Sequence, residues 1–149
     1  MTTAVATKKP VRIYQYEAMF LIGQSQTGDL AAIIQHIEEI MQRGNATVIS
    51  MKKWDERRLA YEIKGQKRGL YILVYFKAPG DSLSHIERDC NLSEKILRVM
   101  ILRADHLTDD EVKAQDGRAE LMAEAKLRAE KPQVAPAAPA AEAAAPAAE

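Results

Sequence analysis

Residues 29–44 read DLAAIIQHIEEIMQRG, and they carry a regular helical pattern between two stretches with strand patterns. Its apolar side chains recur at intervals of three and four residues, which places them on one stripe of a helix: Leu30, Ile33, Ile34, Ile37, Ile40 and Met41. Asp29 is a favoured N-cap residue, and Gly44 is favoured just after a helix C-terminus. The stretch therefore predicts an amphipathic helix over residues 29–43 with one buried face.

Strand patterns lie on both sides of this helix. Before it, Ile13 to Ile22 is rich in Ile, Tyr, Phe and Met, which is typical of a strand buried on nearly both faces. After it come an extended stretch interrupted near Asp55-Glu56, a hairpin loop, a β-prone run, a helix opened by Pro79 and a last strand; the strands and loop span 47–63, 64–69, 70–76 and 96–102. The order β-α-β-β-α-β predicts the ferredoxin-like α+β fold, a four-stranded antiparallel sheet with two helices on one face.

Length and charge set the class of protein. The 149 residues, 47% of them hydrophobic, suffice for one domain with a core. The 21 basic and 21 acidic residues balance, but residues 11–103 carry a net charge of +3 and residues 104–149 a net charge of −5. A mildly basic body is compatible with nucleic acid. With no apolar run of transmembrane length and no secretory signal pattern, we expect a cytoplasmic protein.

Composition divides the chain into four segments. We expect residues 1–11 to be a flexible N-terminal extension and residues 12–103 to form the ferredoxin-like domain. Residues 108–111 read TDDE, which matches a capping box, so a C-terminal helix is expected within 104–131. Its apolar set is thin, which predicts weak packing or ordering against a partner. Residues 132–149 hold ten Ala and four Pro, and we expect a disordered tail.

The side chains that enzymes and metal sites need are sparse. His36, His85 and His106 show no spacing typical of metal ligands. Cys90 falls on the apolar side of the second helix, where a buried structural thiol is the expectation. No glycine-rich phosphate-binding motif occurs. The sequence thus predicts neither catalysis nor a metal ion nor a cofactor.

Arginine and aromatic residues concentrate in residues 54–61, which read WDERRLAY. Arg57 and Arg58 carry planar, permanently charged groups that suit phosphate, and Trp54 and Tyr61 offer stacking surfaces. The alternative is a solvated strand whose arginine stems cover apolar neighbours. Further candidates for nucleic-acid contact lie outside this stretch, together with one tyrosine for stacking or partner contact: Arg98, Arg12, Lys95, Arg103 and Tyr16.

These residues carry a resemblance to a known family. Tyr16-Glu17, the 54–61 stretch, Gly69-x-Tyr71 and the LRVM run at 97–100 occur in order, and the chain resembles the bacterial small-subunit (30S) ribosomal protein S-six. The resemblance implies a ferredoxin-like fold and a non-catalytic role in translation. It implies binding to 16S ribosomal RNA of the central domain, or platform. It also implies a heterodimer with ribosomal protein S-eighteen and contacts with other small-subunit proteins.

One departure and three rival functions remain. The family usually has Pro where this chain has Glu62. An RNA-recognition motif would carry aromatic residues on its third strand where Leu70 and Ile72 stand. An acylphosphatase-like enzyme would need a phosphate loop after the first strand, and residues 23–28 contain no arginine. A regulatory domain that binds a small molecule and dimerises is the third rival.

Overall fold

Within residues 10–130, which the computed structural model describes, four strands form an antiparallel sheet in the order β2-β3-β1-β4. The strands are β1 (Ile13–Gly23), β2 (Thr47–Ile63), β3 (Gln66–Pro79) and β4 (Arg98–Arg103). The helices are α1 (Leu30–Arg43), α2 (Leu83–Leu92), α3 (Asp109–Ala114) and α4 (Arg118–Glu130). The first six of these elements follow the order β-α-β-β-α-β, so the predicted ferredoxin-like fold is confirmed.

α1 forms as its sequence predicts. The Asp29 side chain accepts a hydrogen bond from the amide of Ala32 at 3.2 Å, which caps the first turn, and Gly44 ends the helix. All six residues of the predicted stripe are buried against the central strands β1 and β3. Their sheet partners alternate along those strands: Ala18, Phe20, Ile22, Leu70, Ile72, Val74 and Phe76. This layer is the main core.

The second half of the fold differs in detail from the sequence-based expectation. The β2–β3 hairpin turns on Lys64 and Gly65, at φ 47° and 79°, so the expected loop over 64–69 is too long. The expected helix at Pro79 begins as a 3₁₀ turn and becomes helical only at Leu83. β4 begins at Arg98 rather than at Ile96, because Ile96 turns into the core before the strand starts.

β2 runs without a break from Thr47 to Ile63, so the interruption expected near Asp55 is wrong. The strand instead absorbs irregularity as bulges. Lys53 pairs with Ile72 and Asp55 with Tyr71, which leaves Trp54 without an opposite residue. A larger shift follows, where residues 59–62 of β2 stand against a single residue of β3.

Residues 104–130, called here the C-terminal extension, wrap around the edge of the sheet at β2. α3 packs Val112 on the sheet face away from α1 and α2, called here the distal face, and α4 packs Leu121 and Ala125 into the main core. The predicted capping box is present between Thr108 and Glu111. The expectation of weak packing is wrong, because Leu121 and Ala125 are buried in the main core with residues of the sheet and of α1. These contacts join residues far apart in sequence, so the local sequence does not reveal them. The predicted 1–11 extension and 132–149 tail lie almost wholly outside the described residues.

Candidate nucleic-acid and partner interface

The distal face of the sheet is only partly covered. α3 and the segment before it pack on Leu73 and Tyr75, near the middle of β3. Towards the β2–β3 turn, no described helix covers the face, and arginine, aromatic and methionine side chains occupy it. This uncovered half is the candidate interface.

Trp54, Arg57 and Tyr71 form a compact cation–aromatic group on this surface. The Arg57 guanidinium carbon lies 5.0 Å from the Trp54 ring centre and 5.4 Å from the Tyr71 ring centre. The two rings meet edge to face, with their centres 5.6 Å apart. Trp54 is 47% exposed, so much of the indole remains available to a partner. Because Trp54 is the bulge residue, the bulge aims its ring across the neighbouring strand.

Residues 59–62, called here the arch, cross the distal face from one edge of the sheet towards the other. β2 and β4 are the two edge strands, about 14 Å apart at the usual strand spacing. Even so, Nη1 of Arg98 on β4 donates a 2.9 Å hydrogen bond to the Tyr61 hydroxyl, and its guanidinium carbon lies 5.6 Å from the Tyr61 ring centre. Leu59, the first residue of the arch, is buried against Leu21 of β1. The arch therefore brings together an arginine and a tyrosine from opposite edges.

Gly69 makes this crossing possible. A Cβ atom at this position would lie 2.5 Å from Cδ1 of Leu21 and 3.3 Å from Cδ2 of Leu59. Without a side chain at residue 69 the two leucines meet over β3, whereas a methyl group there would displace the end of the Leu21 side chain. Gly69, the fourth residue of β3, thus favours the close packing of the arch.

The arch borders an open concavity of ≈ 430 Å³. Its walls are mostly apolar, with Arg98 and the tyrosine rings at the rim: Met19, Leu21, Leu59, Ala60, Tyr61, Ile63, Tyr71, Arg98, Val99 and Met100. Met100 and Leu102 alternate with Arg98 on β4 and are each more than half exposed. Large exposed apolar side chains beside arginines are typical of surfaces that bind another macromolecule.

The structure separates the other predicted contact residues from this group. Arg58 pairs with Arg68 across the hairpin and, by strand alternation, lies on the side opposite Arg57. Arg12 precedes β1, at the far end of that strand from Arg98. Lys95 is exposed in the loop before β4, close to His36 of α1. Arg103 covers the Tyr14 ring, 3.8 Å from its centre, and pairs with Asp105.

Tyr16 is not available as a stacking surface. It is 6% exposed and packs against Phe76 with ring centres 5.6 Å apart. Its alternation with Ala18 and Phe20 on the helix-covered side of β1 explains the burial.

Sequence reasoning missed Tyr71, Met100 and Leu102 as members of the surface. Tyr71 was recognised only as part of the entry to β3, whereas its ring forms the floor under Arg57. The alternation of Arg98, Met100 and Leu102 was the available signal for the β4 contribution, because residues two apart on a strand share a face.

Comparison with known proteins identifies the family. The sequence profile described as Ribosomal protein S6 matches residues 15–103. The chain belongs to the ribosomal protein S6 family. It is 33% identical over 89 residues to the small ribosomal subunit protein bS6 of Desulforamulus reducens, covering 59% of this chain and 94% of the relative. The bS6 protein of Campylobacter lari is 29% identical over 92 residues, covering 61% and 74%.

A solved structure agrees with this assignment. The 30S ribosomal protein S6 of Thermotoga maritima superposes with a TM-score of 0.58 at 26% identity, covering 70% of this chain and 99% of that one. As a member of the ribosomal protein S6 family, the chain is a structural constituent of the small subunit of cytoplasmic ribosomes and acts in translation. There it lies among ribosomal RNA and other ribosomal proteins.

Two further observations concern residues 10–130. No group of three or more His, Cys, Asp or Glu side chains in this part of the chain is arranged to hold a metal ion. None of its helices combines the length and the apolar character that crossing a bilayer requires.

Proposed function

We propose that this chain binds 16S ribosomal RNA of the central domain in company with ribosomal protein S-eighteen, and that the uncovered half of the distal face carries the contacts. The observation that supports this most directly is the pairing of two arginines with exposed aromatic rings there, Arg57 with Trp54 and Arg98 with Tyr61. The family resemblance supplies the identity of the RNA and of the partner.

RNA contact is the role that suits the arginine and aromatic part of the surface. Arg57 and Arg98 are each exposed, so their donors can reach a phosphate without breaking the core. Their only described acidic ion-pair partner is Asp55, at 3.7 Å from Arg57. Trp54 presents an indole face on which an unpaired base can stack. Arg58, Arg12, Lys95 and Arg103 remain predicted peripheral phosphate contacts.

Protein contact is the role that suits the apolar part. Met100 and Leu102 are exposed on β4 beside the concavity, and covering an apolar surface of this kind with a partner lowers the free energy of the complex. The chain has no net charge, so a basic partner would supply cations that it lacks. Heterodimer formation would thus raise the affinity for RNA.

The direct test is a titration of a central-domain RNA fragment with the protein, with and without S-eighteen. We expect tighter binding in the presence of the partner, and an affinity that falls on the order of 10- to 1,000-fold from low to moderate salt. Equal affinity in the two arms would refute the cooperative form of the proposal.

Charge-reversal variants test which arginines contribute to RNA binding. Arg57→Glu and Arg98→Glu should each weaken RNA binding on the order of tenfold, whereas Arg88→Glu, on the exposed side of α2, is the matched control and should bind like the parent. Arg58→Glu should also weaken the complex while the domain stays folded. Parental affinity in the first two variants would remove the distal face from the RNA site.

Two substitutions of an exposed apolar residue by aspartate test where S-eighteen binds. Met100→Asp should abolish most of the binding to S-eighteen, whereas Leu92→Asp, at an exposed position at the end of α2, should not change it. Calorimetric titration of the two proteins without RNA measures this directly. Equal affinities for the two variants would show that the partner docks elsewhere.

A further inference from the structure

The C-terminal extension lies outside the family match at residues 15–103, yet it makes specific contacts with the strand that carries Trp54. The family's shared function therefore leaves residues 104–130 of this chain without an assigned role.

The extension forms hydrogen bonds with backbone groups at the open edge of β2. The Gly117 amide donates to the Met51 carbonyl at 3.1 Å, and the Met51 amide donates to the Asp116 carboxylate at 3.3 Å. Nζ of Lys52 donates to Gln115 at 2.9 Å. A Cβ atom at Gly117 would lie 2.9 Å from Cβ of Lys52, so only glycine allows this approach. These bonds hold the extension beside the residues that lead into the Trp54 bulge.

α4 then contacts both sides of that bulge through four charged side chains. Nζ of Lys53 lies 2.8 Å from the Glu124 carboxylate and 3.2 Å from that of Glu56. Nη2 of Arg128 lies 2.6 Å from each of the same two carboxylates. Each of the four side chains is less than one-third exposed, so solvent screens the network only in part. Lys53 and Glu56 stand immediately before and after the two residues Trp54 and Asp55.

The geometry of the network favours the charged forms of both carboxylates. Partial burial opposes ionisation of Glu56, but the hydrogen bonds from Arg128 and Lys53 outweigh it and lower the pKa of Glu56. For Glu124 burial again opposes ionisation, and the same two donors lower its pKa. Partial burial also opposes ionisation of Lys53 and Arg128, but the same contacts raise their pKa values, so each of the four groups is held in its charged form.

We propose that the C-terminal extension is a positioning element for RNA recognition: Glu124 and Arg128 of α4 fix the bulge of β2 through Lys53 and Glu56 and so set the orientation of Trp54 and Arg57. A bulge has no ladder partner of its own, so its geometry depends on whatever holds its flanks. Trp54 and Arg57 each follow a member of the network directly along β2: Trp54 follows Lys53, and Arg57 follows Glu56. Glu124 and Arg128 are positioning residues, since they act through β2. This inference rests on the proposed RNA contact.

The test uses the full chain with Glu124→Gln and Arg128→Gln combined. Its matched control combines Glu120→Gln and Lys126→Gln, which removes one charge of each sign from exposed positions on the same helix. Trp54 is the single tryptophan of the chain, so its fluorescence reports the bulge without any label. We expect the test variant to show shifted emission, more acrylamide quenching and about fivefold weaker binding to central-domain RNA, and the control to match the parent in all three.

A rescue variant separates positioning from general stability. It exchanges the signs of all four groups, with Lys53→Glu, Glu56→Lys, Glu124→Lys and Arg128→Glu, and rebuilds the network in reverse. Circular dichroism confirms that each variant is folded. We expect the parental emission and affinity to return. Parental emission or parental affinity in the glutamine variant would overturn the proposal, as would a rescue variant that stays as weak as the glutamine variant.

The two proposals fail in different ways. Parental RNA affinity for both Arg57→Glu and Arg98→Glu would overturn the RNA site itself, whereas the emission of Trp54 in the free protein needs no RNA. A shift in that emission would then still establish that α4 positions the bulge. An unshifted emission in the glutamine variant overturns the positioning role whatever the RNA titration gives.

Discussion

Replacing Gly69 with alanine should destabilise the arch. The added Cβ would lie 2.5 Å from Cδ1 of Leu21, so that methyl group must move by about 1 Å to reach ordinary van der Waals contact. Leu21 is 5% exposed and lines the concavity, so a shift of its side chain into that space gives up contacts with Leu59. Overpacking of this kind costs about 1–3 kcal/mol.

An opposing effect reduces the net change. Alanine restricts the unfolded chain more than glycine does, which stabilises the fold by about 0.4–1 kcal/mol where the backbone accepts it. Gly69 does not have a positive φ, so the backbone accepts alanine. We therefore expect Gly69→Ala to lower the free energy of unfolding by about 1–2 kcal/mol, which is the middle of the overpacking range less the gain from alanine.

Urea denaturation followed by circular dichroism measures this loss. With a slope of about 1–3 kcal/mol/M, the midpoint should fall by roughly 1 M. Gly80→Ala is the control, because its Cβ would meet Tyr14 at an ordinary 3.7 Å, and its stability should equal or exceed that of the parent. Leu21→Val removes the clashing Cδ1 atom, so the double variant should be more stable than the sum of the two single changes predicts. A Gly69→Ala protein as stable as the parent, or a coupling of zero, would refute the packing argument.

Three further predictions concern other parts of the chain. Folding lowers the pKa values of Glu56 and Glu124, so the two carboxylates stabilise the fold above about pH 4.5, and this stabilisation is lost as pH falls through the folded pKa values. Urea titrations between pH 6 and pH 3 should therefore show a smaller fall in the free energy of unfolding for the Glu56→Gln/Glu124→Gln variant than for the parent. Burial raises the pKa of Cys90 to about 12, so iodoacetamide at pH 8 should label it only after unfolding; rapid labelling of the native protein would contradict its burial. Thr108→Ala removes the cap of α3 and should lower the free energy of unfolding, measured by urea denaturation, by about 1 kcal/mol. An unchanged urea midpoint would show that the cap is dispensable.

Much of the fold follows from local patterns. The stripe in residues 30–41, the cap at Asp29 and the capping box at Thr108 each depend on residues within a few positions of one another, and the structure confirms all three. The segment from 54 to 61 was recognised because its arginine and aromatic residues are adjacent in sequence. Such features need no knowledge of distant parts of the chain.

The bulges of β2 were not predictable in the same way. Asp55 and Glu56 disfavour a strand, which is why an interruption was expected there. The strand continues because Asp55 and Glu56 pair with Tyr71 and Leu70 of β3, and Arg128 of α4 pairs with the Glu56 side chain. Tertiary contacts therefore override the local preference, and they turn the predicted break into the bulge that presents Trp54.

Periodicity and composition are enough to predict the order of strands and helices, the buried face of α1 and the chemical character of the surface. Three-dimensional packing is needed to know which arginine meets which ring, that Tyr16 is buried, and that α4 reaches the core. The physical reason is that Arg98 and Tyr61 are 37 residues apart, and Lys53 and Glu124 are 71 residues apart. Side chains so far apart in sequence meet only where sheet pairing and close packing bring their strands and helices together.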